Sequence, residues 1–333
     1  MRRDAFLAAA ALMFVPAPLA AQTVTHVDTV SGDQPADVAI GQPVDQTTQT
    51  QDVQFRSDAS KRMTIAVTLL GNGPYRFLVD TGADRTVVSR QIAERLRLRS
   101  GRSANLHSVT GMTSVNTAAV PQMQIDQKSI RGVEAAVLEG EHLGADGVLG
   151  TDSLASQNVM FDFKNGLLSI TPMARKAPRD EEGTITVEAR RRAGRLIITE
   201  AEADDRRLSV VVDTGAEVTI GNEALRQALL VRRQLSPNGT IELLSVTGDL
   251  LKGDYLTLKE LKLGGVTLRN LNIVFADAHT FKQMGLEKKP ALLLGMNAIR
   301  AFDKVSIDFA RKKLRVVMPK GSEAESEAQL AMR

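Results

Sequence analysis

The chain has 333 residues, enough for one large or two small domains, and its 43% hydrophobic content is typical of a globular protein. Only 4% of the residues are aromatic, none is Trp, and the formal net charge is +3, so a nucleic-acid-binding role is not expected. The absence of Cys excludes disulfides, thiolate catalysis and Cys-based zinc sites.

The N-terminal segment has the pattern of an export signal. Arg2 and Arg3 precede an apolar run at residues 6–15, and residues 19–21 resemble a small-residue cleavage site. The run has about half of the ~20 residues that span a bilayer, and no later segment is apolar enough to do so. We therefore predict a signal peptide at residues 1–21 and a periplasmic or secreted mature chain, with an uncleaved anchor as the alternative.

The remaining sequence divides into two predicted lobes and three connecting or terminal segments. Residues 22–57 show no hydrophobic period and are predicted to be a flexible leader, although a propeptide is also possible. The first lobe is placed at 58–172 and the second at 184–318, joined by a linker at 173–183 that contains a proline and mixed charges. The polar tail at 319–333 is predicted to be disordered.

An internal repeat governs the fold prediction. Three phrases occur twice in the same order, namely Asp-Thr-Gly-Ala at 80–83 and 213–216, Ser-Val-Thr-Gly at 108–111 and 245–248, and an apolar-apolar-Gly step at 148–150 and 293–295. An Asp-Phe pair then precedes the closing strand of each copy, at 162–163 and 308–309. Two such copies have the usual size of small domains.

Most local signals indicate strands, with one short helix after each Asp phrase. An apolar strand precedes Asp80 and another precedes Asp213. Helices are predicted at 91–98 and at 223–231, the second with Asn222 as its N-cap. The basic run at 190–192, together with Arg195, is predicted to be a solvated turn. These patterns indicate an all-β protein with two homologous lobes.

The Asp-Thr-Gly phrase has a structural and a chemical interpretation. A single copy is most simply a strand entering a tight turn, which Asp and Thr cap and Gly permits. Two copies in matched contexts can bring Asp80 and Asp213 together across the lobe interface. Two adjacent carboxylates do not both ionise easily, so the pair holds one proton and offers an acid and a base at once. Such a pair can activate a water for attack on a carbonyl.

These phrases resemble the retropepsin-like aspartic proteases in their single-chain, two-lobe bacterial form. The sequence 80–84, Asp-Thr-Gly-Ala-Asp, followed by Thr86 and Val87, is similar to the retroviral protease active-site phrase, and the resemblance spans roughly residues 60–318. It implies two all-β lobes like those of retropepsins and pepsin, an active-site cleft between them, and peptide hydrolysis without a metal or organic cofactor. It also implies that a monomer can act on a polypeptide substrate.

The resemblance assigns roles residue by residue. Asp80 and Asp213 would be catalytic, and Thr81 and Thr214 would hydrogen-bond across the lobe interface. The remaining active-site turn residues would support the pair: Gly82, Ala83, Gly215 and Ala216. Substrate would be bound by Asp84, Glu217 and the tips of two hairpins that act as flaps, at Val109, Thr110, Gly111, Val246, Thr247 and Gly248. Because Ala83 and Ala216 lack the hydroxyl that pepsins carry there, we expect the pair to keep its proton to a higher pH.

The four histidines give no metal-site prediction. No two of them have metal-ligand spacing, so no metal is expected, and only His107 borders a predicted flap. The sequence therefore predicts an exported aspartic endopeptidase that processes particular envelope or secreted proteins. The alternatives are a peptide-binding module that kept the cleft without turnover, and an enzyme inhibited by residues 22–57.

Overall fold

The computed structural model describes residues 5–7, 13–14, 51–57, 63–125, 128–154, 157–172, 183–192, 195–230, 235–309 and 311–319. Within these ranges, the N-terminal region forms the strands Ala5–Leu7 (β1), Met13–Phe14 (β2) and Gln51–Ser57 (β3). The sequence places residues 22–57 in a flexible leader, but β3 shows that the end of this segment belongs to the fold. Residues 173–182 of the predicted linker and 320–333 of the predicted tail lie outside the described residues.

The first lobe contains the strands Met63–Leu69 (β4), Asn72–Val79 (β5), Val87–Ser89 (β6), Arg99–Ser100 (β7), Ala104–His107 (β8), Met112–Val115 (β9), Thr117–Ile125 (β10), Lys128–Leu138 (β11), Gly147–Leu149 (β12), Gln157–Asp162 (β13) and Leu167–Pro172 (β14). Its helices are Arg90–Arg95 (α1), Gly140–Leu143 (α2) and Thr151–Leu154 (α3).

The second lobe contains the strands Thr184–Glu188 (β15), Arg190–Arg192 (β16), Arg195–Ala203 (β17), Arg206–Val212 (β18), Thr219–Gly221 (β19), Leu235–Leu244 (β20), Leu250–Leu263 (β21), Val266–Phe275 (β22), Ala291–Leu294 (β23), Lys304–Asp308 (β24) and Lys313–Val317 (β25). Its helices are Glu223–Leu230 (α4), His279–Gln283 (α5) and Met296–Ile299 (α6).

Each lobe is built on a closed six-stranded barrel, and the two barrels follow one another along the chain. In the first lobe the strand order is β4-β5-β12-β6-β11-β10, and β10 closes the barrel on β4. The second lobe repeats this arrangement as β17-β18-β23-β19-β22-β21, with β21 pairing with β17. The prediction of an all-β fold with two homologous lobes is therefore confirmed.

The barrel strands follow the burial pattern that their sequences predict. In β5 the exposed N-terminal half gives way to the buried Phe77, Leu78 and Val79, directly before Asp80. In β18 the corresponding apolar stretch is Val210–Val212, which is also buried and directly precedes Asp213. Burying such runs of apolar side chains supplies most of the free energy that stabilises each barrel.

A six-stranded antiparallel sheet connects the two lobes, in the order β15-β25-β24-β13-β14-β3. Its centre is the pairing of β13 with β24, in which Phe161 lies opposite Val305. The repeated Asp-Phe pairs mark the ends of these two strands. Asp162 accepts a hydrogen bond from the Asn165 N–H, and Asp308 accepts one from the Arg311 N–H, so each Asp stabilises the turn that follows its strand.

The two predicted helices that follow the Asp phrases are present, and the first has shifted ends. Helix α1 spans Arg90–Arg95 rather than 91–98, because Arg97 adopts a left-handed conformation with φ 49° and the chain turns back. There the Leu98 N–H bonds to the Ala93 carbonyl, which is the usual way such a cap closes a helix. Helix α4 begins after Asn222, whose Oδ1 accepts the Leu225 N–H at 2.9 Å, so the predicted N-cap is confirmed.

One predicted turn is wrong. The basic run forms the short strand β16, and Arg195 begins β17 with none of its surface exposed. Charged side chains are seldom fully buried unless opposite charges surround them, so the position of Arg195 bears on the site described below. No helix among the described residues has both the length and the apolar character that crossing a membrane requires.

Candidate functional site

The two Asp-Thr-Gly phrases lie at the ends of corresponding barrel strands. Asp80 follows β5, and its backbone N–H donates to the Leu149 carbonyl at 3.1 Å. Asp213 follows β18, and its N–H donates to the Leu294 carbonyl at 3.0 Å. Leu149 and Leu294 belong to the repeated apolar-apolar-Gly steps, so these steps hold both active-site turns in equivalent positions.

The two aspartates meet at the lobe interface, and both are buried, with 1% of Asp80 and 0% of Asp213 exposed. Asp80 Oδ1 accepts the Gly82 N–H at 2.8 Å, and Asp213 Oδ1 accepts the Gly215 N–H at 3.1 Å. Each glycine also faces the opposite carboxyl. A Cβ atom on Gly82 would lie 2.6 Å from Asp213 Oδ1, and one on Gly215 would lie 2.2 Å from Asp80 Oδ2. Only glycine allows the turns to approach this closely.

The environment of the pair favours a single shared proton. Burial raises the pKa of Asp80 well above its usual value, and the adjacent Asp213 charge raises it further. Burial also raises the pKa of Asp213, but the nearby Arg195 opposes that rise. Ionisation of one carboxyl therefore opposes ionisation of the other, and the pair holds one proton between its two members.

Reciprocal hydrogen bonds between two threonines lock the turns together. The Thr81 N–H donates to Thr214 Oγ1 at 3.0 Å, and the Thr214 N–H donates to Thr81 Oγ1 at 3.2 Å. Each hydroxyl then donates across the interface, Thr81 to the Val212 carbonyl at 3.2 Å and Thr214 to the Val79 carbonyl at 2.8 Å. All four bonds are buried and join different lobes, so they hold the carboxyl groups in register.

A further polar pair supports each turn and was missed by the sequence reasoning. In the first lobe Asp152 accepts hydrogen bonds from the Thr86 N–H and hydroxyl, at 3.1 and 2.8 Å. In the second lobe Asn297 accepts equivalent bonds from Thr219, at 2.9 and 2.7 Å. The signal was available, because each Thr lies six residues after its Asp and each partner lies two residues after the repeated Gly.

Two hairpins join the lobes, and one apolar residue at the tip of each is buried among side chains of the opposite lobe. The first hairpin is formed by β8 and β9, and its tip residue Val109 packs among second-lobe side chains such as Val211 and Ile220. The second is formed by β20 and β21, and its tip residue Val246 packs among first-lobe side chains such as Leu78. The exchange of these tip residues joins each hairpin to the opposite lobe.

The polar tip residues of the two hairpins contact one another. The Thr110 hydroxyl donates to Asp249 Oδ2 at 3.4 Å, and the Thr247 hydroxyl donates to the same oxygen at 2.7 Å. Gly111 lies in open space, with no atom within 4 Å of where a Cβ would be. Gly248 instead packs against the imidazole of His142, because a Cβ there would lie 2.4 Å from His142 Cε1. The predicted flap residues of the two lobes therefore contact each other.

Comparison with protein families agrees with this geometry. Residues 65–156 match the gag-polyprotein aspartyl protease family, and residues 199–298 match the aspartyl protease family, so the two matches fall on the two barrels. The chain belongs to the retropepsin-like aspartyl proteases. No curated protein matches the chain. In this retropepsin-like protein both Asp-Thr-Gly turns come from one chain, which explains why the phrase occurs twice.

A buried cation lies beside the acidic groups of the retropepsin-like site. Arg195, fully buried at the start of β17, lowers the pKa of Asp80, Asp84 and Asp213 through its charge. Asp84 is itself largely buried, and burial raises its pKa to about 6 despite the attraction of Arg195. Its Oδ1 accepts no hydrogen bond from the described part of the chain. Glu217 occupies the corresponding position of the second lobe, and its N-terminal neighbour Ala216 accepts the Met296 N–H.

Three histidines lie beside the hairpins, although the sequence identified only His107 as a neighbour of one. His107 Nδ1 lies 3.0 Å from His279 Nε2, and His142 contacts the second hairpin as described above. Burial lowers the pKa of His107, and the charges of His279 and Arg195 lower it further. Burial also lowers the pKa of His279. Among the described residues, no three His, Cys, Asp or Glu side chains converge as a metal site.

Proposed function

We propose that the protein is an aspartic endopeptidase in which Asp80 and Asp213 act together on a water molecule. The observation that carries this proposal is the contact between two buried carboxyl groups whose surroundings leave one proton between them. Membership of the aspartyl protease family supports the same reaction class.

The shared proton gives the two carboxyls different tasks. The ionised member of the pair takes a proton from the water as the oxygen attacks the peptide carbonyl. The protonated member donates a hydrogen bond to the carbonyl oxygen as negative charge develops there. The threonine hydrogen bonds contribute by holding both groups in place, which lowers the cost of reaching the reactive geometry.

An extended polypeptide fits the cleft as substrate. The strand β1 pairs in parallel with β8, and β2 pairs antiparallel with β20, so an edge of each hairpin accepts backbone hydrogen bonds from an extended segment. Asp84 Oδ1 is a buried acceptor with no hydrogen-bond partner among the described residues, so it is available to accept a substrate N–H. We propose that Asp84, Glu217 and the hairpin tips bind the substrate backbone.

We further propose that the enzyme works as an exported monomer. The dyad is complete within one chain, so catalysis needs no second copy. The signal-like N-terminus supports export, and the substrates would then be envelope or secreted proteins.

The test is cleavage of an unfolded protein by the purified full-length chain between about pH 4 and pH 8, a range that brackets ordinary and raised carboxyl pKa values. Asp80→Asn and Asp213→Asn should each abolish cleavage, because either change removes the acid–base pair but keeps the shape of the side chain. Asp205→Asn, at an exposed turn, should cleave like the wild type. Cleavage that persists in either dyad variant would refute the assignment. Peptide binding without turnover at any pH would indicate a binding module instead.

A further inference from the structure

The contact between His107 and His279 is an in-line hydrogen bond that joins the two lobes. His107 ends β8 in the first hairpin, and His279 begins α5 in the second lobe. The ring planes differ by only 7°, and the ring centres lie 5.3 Å apart. That separation equals the 3.0 Å between Nδ1 and Nε2 plus the two ring radii, so the nitrogens and both ring centres lie on one line. This is the geometry of a strong N–H···N bond rather than of stacked rings.

The amide of Gln283 identifies the donor in this bond. Gln283 Nε2 lies 2.9 Å from His107 Nδ1 and 3.3 Å from His279 Nε2. An amide nitrogen can only donate, so its closer partner, His107 Nδ1, must present a lone pair. His279 Nε2 then carries the proton and donates it to the same lone pair. Two donors from the second lobe thus converge on one acceptor of the first hairpin.

We propose that the His107–His279 pair is a latch that holds the first hairpin closed over the cleft and releases it in acid. Four observations carry the proposal. The bond joins the first hairpin to the opposite lobe, and His107 is only 8% exposed. The His279 backbone N–H also donates to the carbonyl of Val109, near His107 in the hairpin, at 2.7 Å. Finally, the bond between the rings requires an unprotonated nitrogen. The second hairpin instead packs at Gly248 against His142 of helix α2, so the two hairpins are held differently.

The acid release follows from the chemistry of the facing nitrogens. If His107 Nδ1 gains a proton, it faces the His279 N–H and the Gln283 amide with no lone pair, and the bond is lost. The charged groups around the pair are Arg195 on the His107 side, and Lys282 and Asp277 on the His279 side. The backbone partners of His107, namely Leu7 of β1 and Met112 of β9, carry no charge. The latch itself does not depend on the proposed peptidase function. Only its consequence does, namely that substrate enters the cleft more easily at low pH.

Hydrogen exchange of backbone amides tests the latch without a measurement of catalysis. Protection factors of the amides at 104–115 would be measured in the full chain between about pH 5 and pH 8, with those of β24 and β25 as an internal reference. His279→Ala removes the bond and should lower hairpin protection about two- to tenfold at neutral pH, the factor expected for one hydrogen bond. His142→Ala is the matched control and should leave these amides unchanged.

The variant His279→Gln keeps a hydrogen-bond donor opposite His107 but removes the titratable ring of His279. The Gln amide reaches the same position as His Nε2 and donates to His107, but it does not titrate. We expect wild-type protection at 104–115 with His279→Gln at neutral pH, and a smaller loss on acidification than in the wild type. Equal protection of wild type and His279→Ala at neutral pH would overturn the latch. Wild-type protection that does not fall on acidification would overturn the acid release, whether or not the protein cleaves peptides.

Discussion

Replacing Asp84 with Asn should stabilise the folded protein above about pH 6. Burial raises the pKa of Asp84 from 3.8 to about 6, and the charges of Arg195 and two other arginines only partly oppose that rise. A carboxyl whose pKa is higher in the folded state binds its proton more tightly there than in the unfolded chain. The wild-type protein therefore loses stability as the pH rises between about 4 and 6 and Asp84 ionises.

The size of the effect follows from the two pKa values. Each tenfold difference in proton affinity is worth about 1.4 kcal/mol, so the change from 3.8 to about 6 corresponds to about 3 kcal/mol. Asn resembles the protonated acid in shape but cannot ionise. The variant should match the wild type near pH 4 and exceed its free energy of unfolding by up to about 3 kcal/mol at pH 8. The difference in unfolding free energy between the two chains should develop entirely between these pH values.

Urea denaturation of both chains at intervals of about one pH unit would measure this gap. Asp205→Asn is the control, because Asp205 lies at an exposed turn where Asn tolerates the positive φ of 63°. The control should leave the pH dependence of the wild type unchanged. A variant Asp84→Asn that is less stable than the wild type at pH 8 would refute the reasoning. It would mean that attraction to Arg195 outweighs the cost of burying the Asp84 charge.

Three further predictions concern the dyad. Thr214→Val should lose two buried interlobe hydrogen bonds and about 1–3 kcal/mol of unfolding free energy, measured by urea denaturation, whereas Thr214→Ser should retain both. Gly82→Ala should abolish cleavage and lower the free energy of unfolding by at least about 2 kcal/mol, because its Cβ would lie 2.6 Å from Asp213. The control Gly111→Ala places its Cβ in open space and should leave the stability unchanged. The rate of cleavage should fall as the pH rises through the raised pKa of the Asp80–Asp213 pair, because the pair then loses its shared proton. A kcat/KM profile that peaks below about pH 3 would contradict this prediction.

The repeat and its strand patterns could be read from the sequence because they are local. Apolar residues before Asp80 and Asp213 predict strands whatever lies around them, and the matched order of phrases predicts two similar lobes. The N-cap at Asn222 was likewise predictable, since a cap depends on residues within one turn of the helix. The hydrogen bonds between the paired threonines were predicted through the resemblance to the retropepsin-like family.

Other features depend on contacts between segments that are far apart in the chain. Arg195 belongs to a run of arginines that looks solvated, yet it is fully buried and its charge acts on Asp80 and Asp84 of the first lobe. His107 and His279 are unremarkable in sequence and become hydrogen-bonded only when a hairpin of one lobe reaches α5 of the other. Local sequence therefore determined the strands, the turns and the two carboxyls. Packing of one lobe on the other decided their burial, their proton affinities and the closure of the cleft, because these depend on the distances and the exclusion of water that only the assembled lobes create.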